Sequence, residues 1–168
     1  MGGEPGQRAG EEQFMRINIF ENTALDLAEK VVLPQLKLAV ETALRKKACA
    51  TDEVNIVLVD GEEIKRLNTR YLRHRRLTDV IAFNYPRPSV RIKGDDTPFG
   101  DICVCVEVAR RQAVKYGHAP AFELLILATH GALHLAGMDD STPALRQGMD
   151  EATAALIAQL KPPSRGRK

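Results

Sequence analysis

Apolar and polar positions alternate from Met15 to Phe20 (M-R-I-N-I-F), the period of a half-buried strand. Leu36, Val40 and Leu44 then recur at helical spacing and predict a helix over Leu33–Lys47, with Pro34 tolerated in its first turn. The stretch between them, Asn22–Val32, shows neither period. Val54–Val59 (V-N-I-V-L-V) is rich in β-branched residues and predicts a second strand. Asp60-Gly61 reads as a turn, and Asp60 can cap a helix from Glu62 to Tyr71 that turns Ile64 and Leu67 inward. Thr78–Asn84 predicts a third strand, cut off by Pro86 and Pro88, and a polar loop follows to Pro98. Asp101–Val106 (D-I-C-V-C-V) is almost continuously apolar, the mark of a central strand. Beyond it the pattern is helical: Glu107–Tyr116 stopped by Gly117, Pro120–Ala136 stopped by Gly137, and Pro143–Leu160 stopped by Pro162-Pro163.

Four short strands and several helices in 168 residues make one domain of ordinary size. The pattern places it at residues 14–160, after a Gly-rich disordered leader at 1–13 and before a basic tail at 161–168. Apolar residues at 44% and charged residues at 27% are ordinary for a water-soluble domain and exclude wholesale disorder. The net charge of +2 gives no global basic field, so any nucleic-acid contact needs a local patch. Cys49, Cys103 and Cys105 are too few for a disulfide framework and fit the reducing cytoplasm. The leader lacks the apolar core of a signal peptide, and no apolar run approaches the ~20 residues that span a bilayer.

The strongest chemical signal is T-H-G-A-L-H-L-A-G-M-D-D, residues 129–140. Its helix is apolar on nearly every side and is therefore buried. His130 and His134 stand four residues apart, on one face. Two buried imidazoles need partners, either core hydrogen bonds or a shared divalent cation. Gly137 permits a reversal that returns Asp140 or Asp139 towards both rings. His at i and i+4 with a third ligand at i+10 is the spacing of the metzincin zinc site. The peptidase motif has Glu immediately after the first His, as general base; here that position is Gly131.

Arg66, Arg70, Arg73, Arg75 and Arg76 crowd into eleven residues with no intervening acid. A solvated helix end accounts for such a run, but so does a phosphate-binding patch beside the metal, which is the reading adopted. Only Tyr71 interleaves, so base stacking there is unsupported. Cys103 and Cys105 share a strand face and read as small core residues rather than thiolate ligands. Asp101 reads as a cap or as a hydrogen-bond partner for a metal-bound His. His118 receives no role.

The segment H-G-A-L-H-L-A-G-M-D-D resembles the signature H-G-x-L-H-L-x-G-Y-D-H of the YbeY endoribonucleases, bacterial rRNA-maturation factors. Upstream, Leu67-Asn68, Tyr71 and Thr78-Asp79-Val80-Ile81-Ala82-Phe83 resemble the family's L-N-x-x-Y-R and T-D-V-L-S-F. Gly100-Asp101-Ile102 resembles its G-D-I, and Phe122-Glu123-Leu124-Leu125 the run into its first His. The motifs span about residues 54–160, in family order.

The resemblance implies a single α+β zincin-like (metzincin-like) domain with a short, mainly parallel four-stranded sheet packed with helices. It implies a metal site of His130, His134 and Asp140, with one zinc per chain. The activity implied is single-strand-specific, metal-dependent endonuclease cleavage in ribosomal RNA maturation, at the small-subunit rRNA 3′ end, and in ribosome quality control. Partners would be ribosomal RNA and small-subunit components in the cytoplasm, with no membrane and no DNA. His130, His134 and Arg73 would be catalytic, and Arg66, Arg70, Arg73, Arg75 and Arg76 would hold RNA. Two departures matter. Asp140 stands where the family has its third His, and a carboxylate oxygen admits harder divalent metals. Leu72 occupies the family's Arg slot, with Arg73 beside it. Two alternatives stand beside this: a non-catalytic ribosome-assembly or RNA-binding factor with a degenerate metal site, and a metal-dependent hydrolase of another substrate. Gly131 argues against a peptide.

Overall fold

The structure is a computed structural model and describes residues 15–48, 52–86 and 97–160. The predicted leader and basic tail, Cys49 and most of the predicted loop after Pro86 lie outside the described residues. Four strands form one sheet: β1 (Arg16–Glu21), β2 (Glu53–Val59), β3 (Val80–Asn84) and β4 (Gly100–Cys105), in the order β1-β2-β4-β3. β1, β2 and β4 are parallel, and β3 runs antiparallel on the edge of β4. β4 is central, as its unbroken apolar run predicts, and five of its six residues are buried.

Because strand side chains alternate, the sheet presents two different faces. Ile56, Ile102 and Val104 point to one face. There they meet α2 (Leu33–Leu44) and α5 (Pro120–Leu135). α6 (Pro143–Gln159) packs outside α5, and α4 (Val106–Tyr116) packs along it. Ile81, Cys103 and Cys105 point to the other face, under Ile64 and Leu67 of α3 (Gly61–Leu67). α5 is the hub: ten of its sixteen residues are buried, and Leu124, Ala128 and Ala132 are wholly enclosed. Each buried leucine of this kind contributes about 1.5–3 kcal/mol.

The stretch without a hydrophobic period folds through polar contacts. Asp26 accepts a hydrogen bond from the Glu29 amide at 2.8 Å, and Glu29 accepts one from the Asp26 amide at 2.8 Å. This reciprocal box starts the short α1 (Leu27–Val31). Arg110 of α4 donates to both Glu29 carboxylate oxygens at 2.7 Å and ties α1 down. The predicted helix after Asp60 ends earlier than its pattern suggests. It passes at Asn68 into a π-helical turn, Asn68–Leu72.

Candidate active site

Gly131 decides how closely α5 lies on the sheet. A Cβ at this position would sit 2.6 Å from Ile102 Cγ2 and 3.1 Å from Val80 Cγ2. The helix rests directly on β3 and β4, and a Glu at this position has no room. The same contact sets His130 and His134 along the edge of the α5 face, with ring centroids 4.8 Å apart.

The helix stops in a Schellman turn. The Gly137 amide donates to the His134 carbonyl at 2.9 Å, and the Met138 amide donates to the Leu133 carbonyl at 3.0 Å. Gly137 takes φ +97°, a conformation that favours glycine. The reversal presents two acids, and their hydrogen bonds separate their roles. Asp139 folds back to accept from the Asp140 and Ser141 amides and the Ser141 hydroxyl. The Ser141 hydroxyl leads in holding the Asp139 carboxyl below its ordinary range. Asp140 turns to the histidines: its Oδ2 lies 3.4 Å from His130 Nε2 and 3.7 Å from His134 Nε2.

His134 Nδ1 lies 3.1 Å from the Met138 carbonyl. A carbonyl only accepts, so Nδ1 carries the proton and Nε2 of the neutral ring keeps its lone pair. Two imidazole nitrogens and a carboxylate oxygen lie within 4.8 Å of one another, a group that could hold a metal ion. Ligands at about 2.0–2.2 Å around a tetrahedral zinc stand about 3.3–3.6 Å apart, close to the two separations between Asp140 and the histidines. The donor set fits a divalent metal. The side chains of His130, His134 and Asp140 are 18%, 30% and 37% exposed, so the group is partly open to solvent.

The arginines occupy a different place. Arg66, Arg70 and Arg75 line a concavity of about 470 Å³ together with Glu62, Lys65 and Thr69. α3 packs on the Cys103 face of the sheet, whereas the histidine helix packs on the Ile102 face. Three of the five arginines thus share one concavity, lined in part from α3. Arg66 pairs with Glu63, and Arg70 lies 5.2 Å over the Tyr71 ring. Tyr71 itself packs edge-on against Phe83 of β3 at 5.2 Å. Arg73 closes the π-helical turn with φ +57°, and Arg73 and Arg76 are exposed.

The residue that holds this loop carries no periodic or charge signal in the sequence. Asn68, fully buried, donates to the Arg76 carbonyl at 2.6 Å and to the Thr78 hydroxyl at 2.9 Å. The quoted Leu67-Asn68 motif was its only signal. Asp101 is neither a cap nor a partner of the histidines. It accepts from Tyr85 Oη at 2.6 Å and from Asn55 Nδ2 at 2.9 Å, on the Cys103 face. Burial, followed by the Asp101 charge, pushes the Cys103 thiol up to about 12, so it is an inert core thiol there. His118, which the sequence left without a role, places Nε2 3.0 Å from the buried Glu123 carboxylate. Burial raises Glu123, and His118 opposes that rise.

Comparison with known proteins agrees with this architecture. The family model described as Endoribonuclease YbeY matches residues 17–161. An Endoribonuclease YbeY of Elusimicrobium minutum is 46% identical over 147 residues, covering 87% of this chain and all of that protein. An Endoribonuclease YbeY of Staphylococcus aureus is 38% identical over 115 residues, 66% of this chain and 74% of its own. A solution structure from Thermotoga maritima shares the fold with a TM-score of 0.53 at 24% identity, covering 92% of this chain and all of that one. With most of its length matched by the family model and by a relative at 46% identity, the chain belongs to the YbeY endoribonuclease family.

Proposed function

We propose that this protein is a single-strand-specific, metal-dependent endoribonuclease of ribosomal RNA. It matures the 3′ end of small-subunit rRNA and serves ribosome quality control in the cytoplasm. The observation that carries this reading is the grouping of His130, His134 and Asp140 ligand atoms within 4.8 Å of one another. These three residues would hold one zinc per chain, and the Asp140 oxygen also suits harder divalent ions. A bound ion supplies Lewis-acid polarisation of a phosphoryl oxygen and a water of lowered pKa. The chain supplies the rest. His134, oriented through Nδ1 by the Met138 carbonyl, presents Nε2 in fixed register. Gly131 places no carboxylate base after His130, which disfavours peptide hydrolysis. Arg73 donates to phosphate oxygens. Arg66, Arg70, Arg75 and Arg76 hold the RNA backbone from the β3 side, so affinity falls steeply with salt.

The test is elemental analysis of protein purified without chelator, for wild type, His130→Ala and Asp140→His, beside cleavage of single- and double-stranded rRNA fragments. About one metal per chain and single-strand cleavage are expected, and both are lost in His130→Ala. Unchanged metal and cleavage in that variant would sink the proposal. The arginine concavity, whose lining includes neither histidine, favours one second reading, a non-catalytic assembly factor. It predicts rRNA binding that survives His130→Ala with no cleavage by wild type.

A further inference from the structure

A second concavity, also of about 470 Å³, runs between α5 and α6. That volume lies in the range of small-molecule sites, about 300–1,000 Å³. Its α5 wall is Phe122, Ile126 and His130, four residues apart and so on one helix face. Its α6 wall includes Asp150, Ala154 and Ile157. His130 belongs both to this groove and to the metal-ligand group. A strand whose phosphate lies against His130 therefore has its neighbouring nucleoside beside the groove.

The lining says which part of a nucleotide enters. No Lys or Arg lines it, and the Asp150 carboxylate at its rim repels phosphate. The Thr153 hydroxyl is committed to the Met149 carbonyl at 2.8 Å. The apolar walls suit an uncharged planar group. The Phe122 ring is 43% exposed and is braced edge-on by His118 at 5.3 Å, a preset stacking surface for a base. The Asp150 side chain makes no hydrogen bond or ion pair among the described residues, so its carboxylate is available to accept from an N–H. Cytosine, adenine and guanine carry an exocyclic amine that donates; uracil presents a carbonyl oxygen where cytosine has its amine.

We propose that this groove is a nucleobase subsite that takes the base next to the scissile phosphate and prefers one with an exocyclic amine over uracil. The assignment rests on the endoribonuclease reading, and it concerns recognition rather than the metal. The test uses the full chain and neutral nucleosides, which carry no phosphate for the arginines to attract. Cytidine and uridine are titrated while the Ile126, Ala154 and Ile157 methyl resonances are followed by NMR. Cytidine binds about tenfold more tightly than uridine, a difference worth one charged hydrogen bond. Asp150→Asn brings that ratio near one, and Ala154→Trp, at an exposed position, abolishes the nucleoside shifts with its fold intact by circular dichroism. In cleavage of an RNA degenerate beside the cut, wild type disfavours uracil by a similar factor and Asp150→Asn does not. Equal binding of both nucleosides, or shifts unaffected by Ala154→Trp, would overturn the subsite. So would methyls that answer to a ribosomal protein but not to nucleosides, which would make the groove a protein interface. Nucleoside binding as described, in a protein that cleaves no RNA, supports base recognition and overturns the nuclease reading instead.

Discussion

Two glycine-to-alanine exchanges in neighbouring helices should change stability in opposite directions. In an open helix interior, Ala is favoured over Gly by about 0.8–1.0 kcal/mol. Gly148 of α6 meets this condition: a Cβ there has nothing within 4 Å. Gly148→Ala should stabilise the protein by up to about 1 kcal/mol. Gly131→Ala gains the same helix propensity but drives a methyl to 2.6 Å from Ile102 Cγ2 and 3.1 Å from Val80 Cγ2. Ile102 is fully buried on the central strand and its branched carbon has little freedom to turn away. Overpacking of this kind costs about 1–3 kcal/mol, which outweighs the propensity gain. The net expectation is a loss of up to about 2 kcal/mol for Gly131→Ala, or a fall of up to about 8 °C in Tm for a domain of this size. Urea unfolding of both variants beside wild type reads the difference directly. Because α5 must lift from the sheet to admit the methyl, metal affinity should fall as well. If Gly131→Ala matched Gly148→Ala in stability, the close approach of α5 to the sheet would be wrong. The account of why no carboxylate follows His130 would then go with it.

Other consequences are equally open to measurement. Arg110→Met leaves the buried Glu29 carboxylate without its partner and should cost about 2–3 kcal/mol, discounted for the half-exposed guanidinium. The Arg110 hydrogen bond leads in holding Glu29 below its ordinary value of 4.5. The pair's contribution is therefore complete above that pH and is lost as the pH falls through the lowered folded value; acid unfolding of Arg110→Met should lack this component. Asn68→Ala removes hydrogen bonds to the Arg76 carbonyl and Thr78 hydroxyl, and should cost about 2 kcal/mol while speeding tryptic cleavage at Arg73, Arg75 and Arg76. An unchanged cleavage rate would mean that Asn68 does not hold the loop. Asp140→Ala should reduce bound metal sharply, whereas Asp139→Ala should retain most of it, because only Asp140 faces the two imidazoles; equal losses by elemental analysis would refute that division.

Local chemistry carried much of this protein on its face. The four strands, the central place of β4, the Gly137 stop and the shared face of His130 and His134 all follow from periods and spacings within one element. Such features depend on residues close in the chain, so the sequence states them directly. α1 escaped because it is held by a capping box and by Arg110, eighty-one residues from Glu29, rather than by a hydrophobic period. The remaining decisions belong to packing. Nothing local distinguishes Asp139 from Asp140 until the turn commits one to backbone amides and the other to the imidazoles. Arg66, Arg70 and Arg75 gather in one concavity only through the packing of α3 with the turn that follows it, and α3 and α5 cover opposite faces of one sheet. Asp101 reads equally as a cap or as a partner of a histidine, and strand alternation sends it to Tyr85 and Asn55 instead. The groove beside His130 exists only where α6 lies against α5, a pairing of surfaces from distant parts of the chain. Sequence by itself determined the four strands, the longer helices and the shared face of His130 and His134, because those depend on local period and residue type. Only the tertiary structure decided which of those residues share a site, because that depends on which face of the sheet each helix covers.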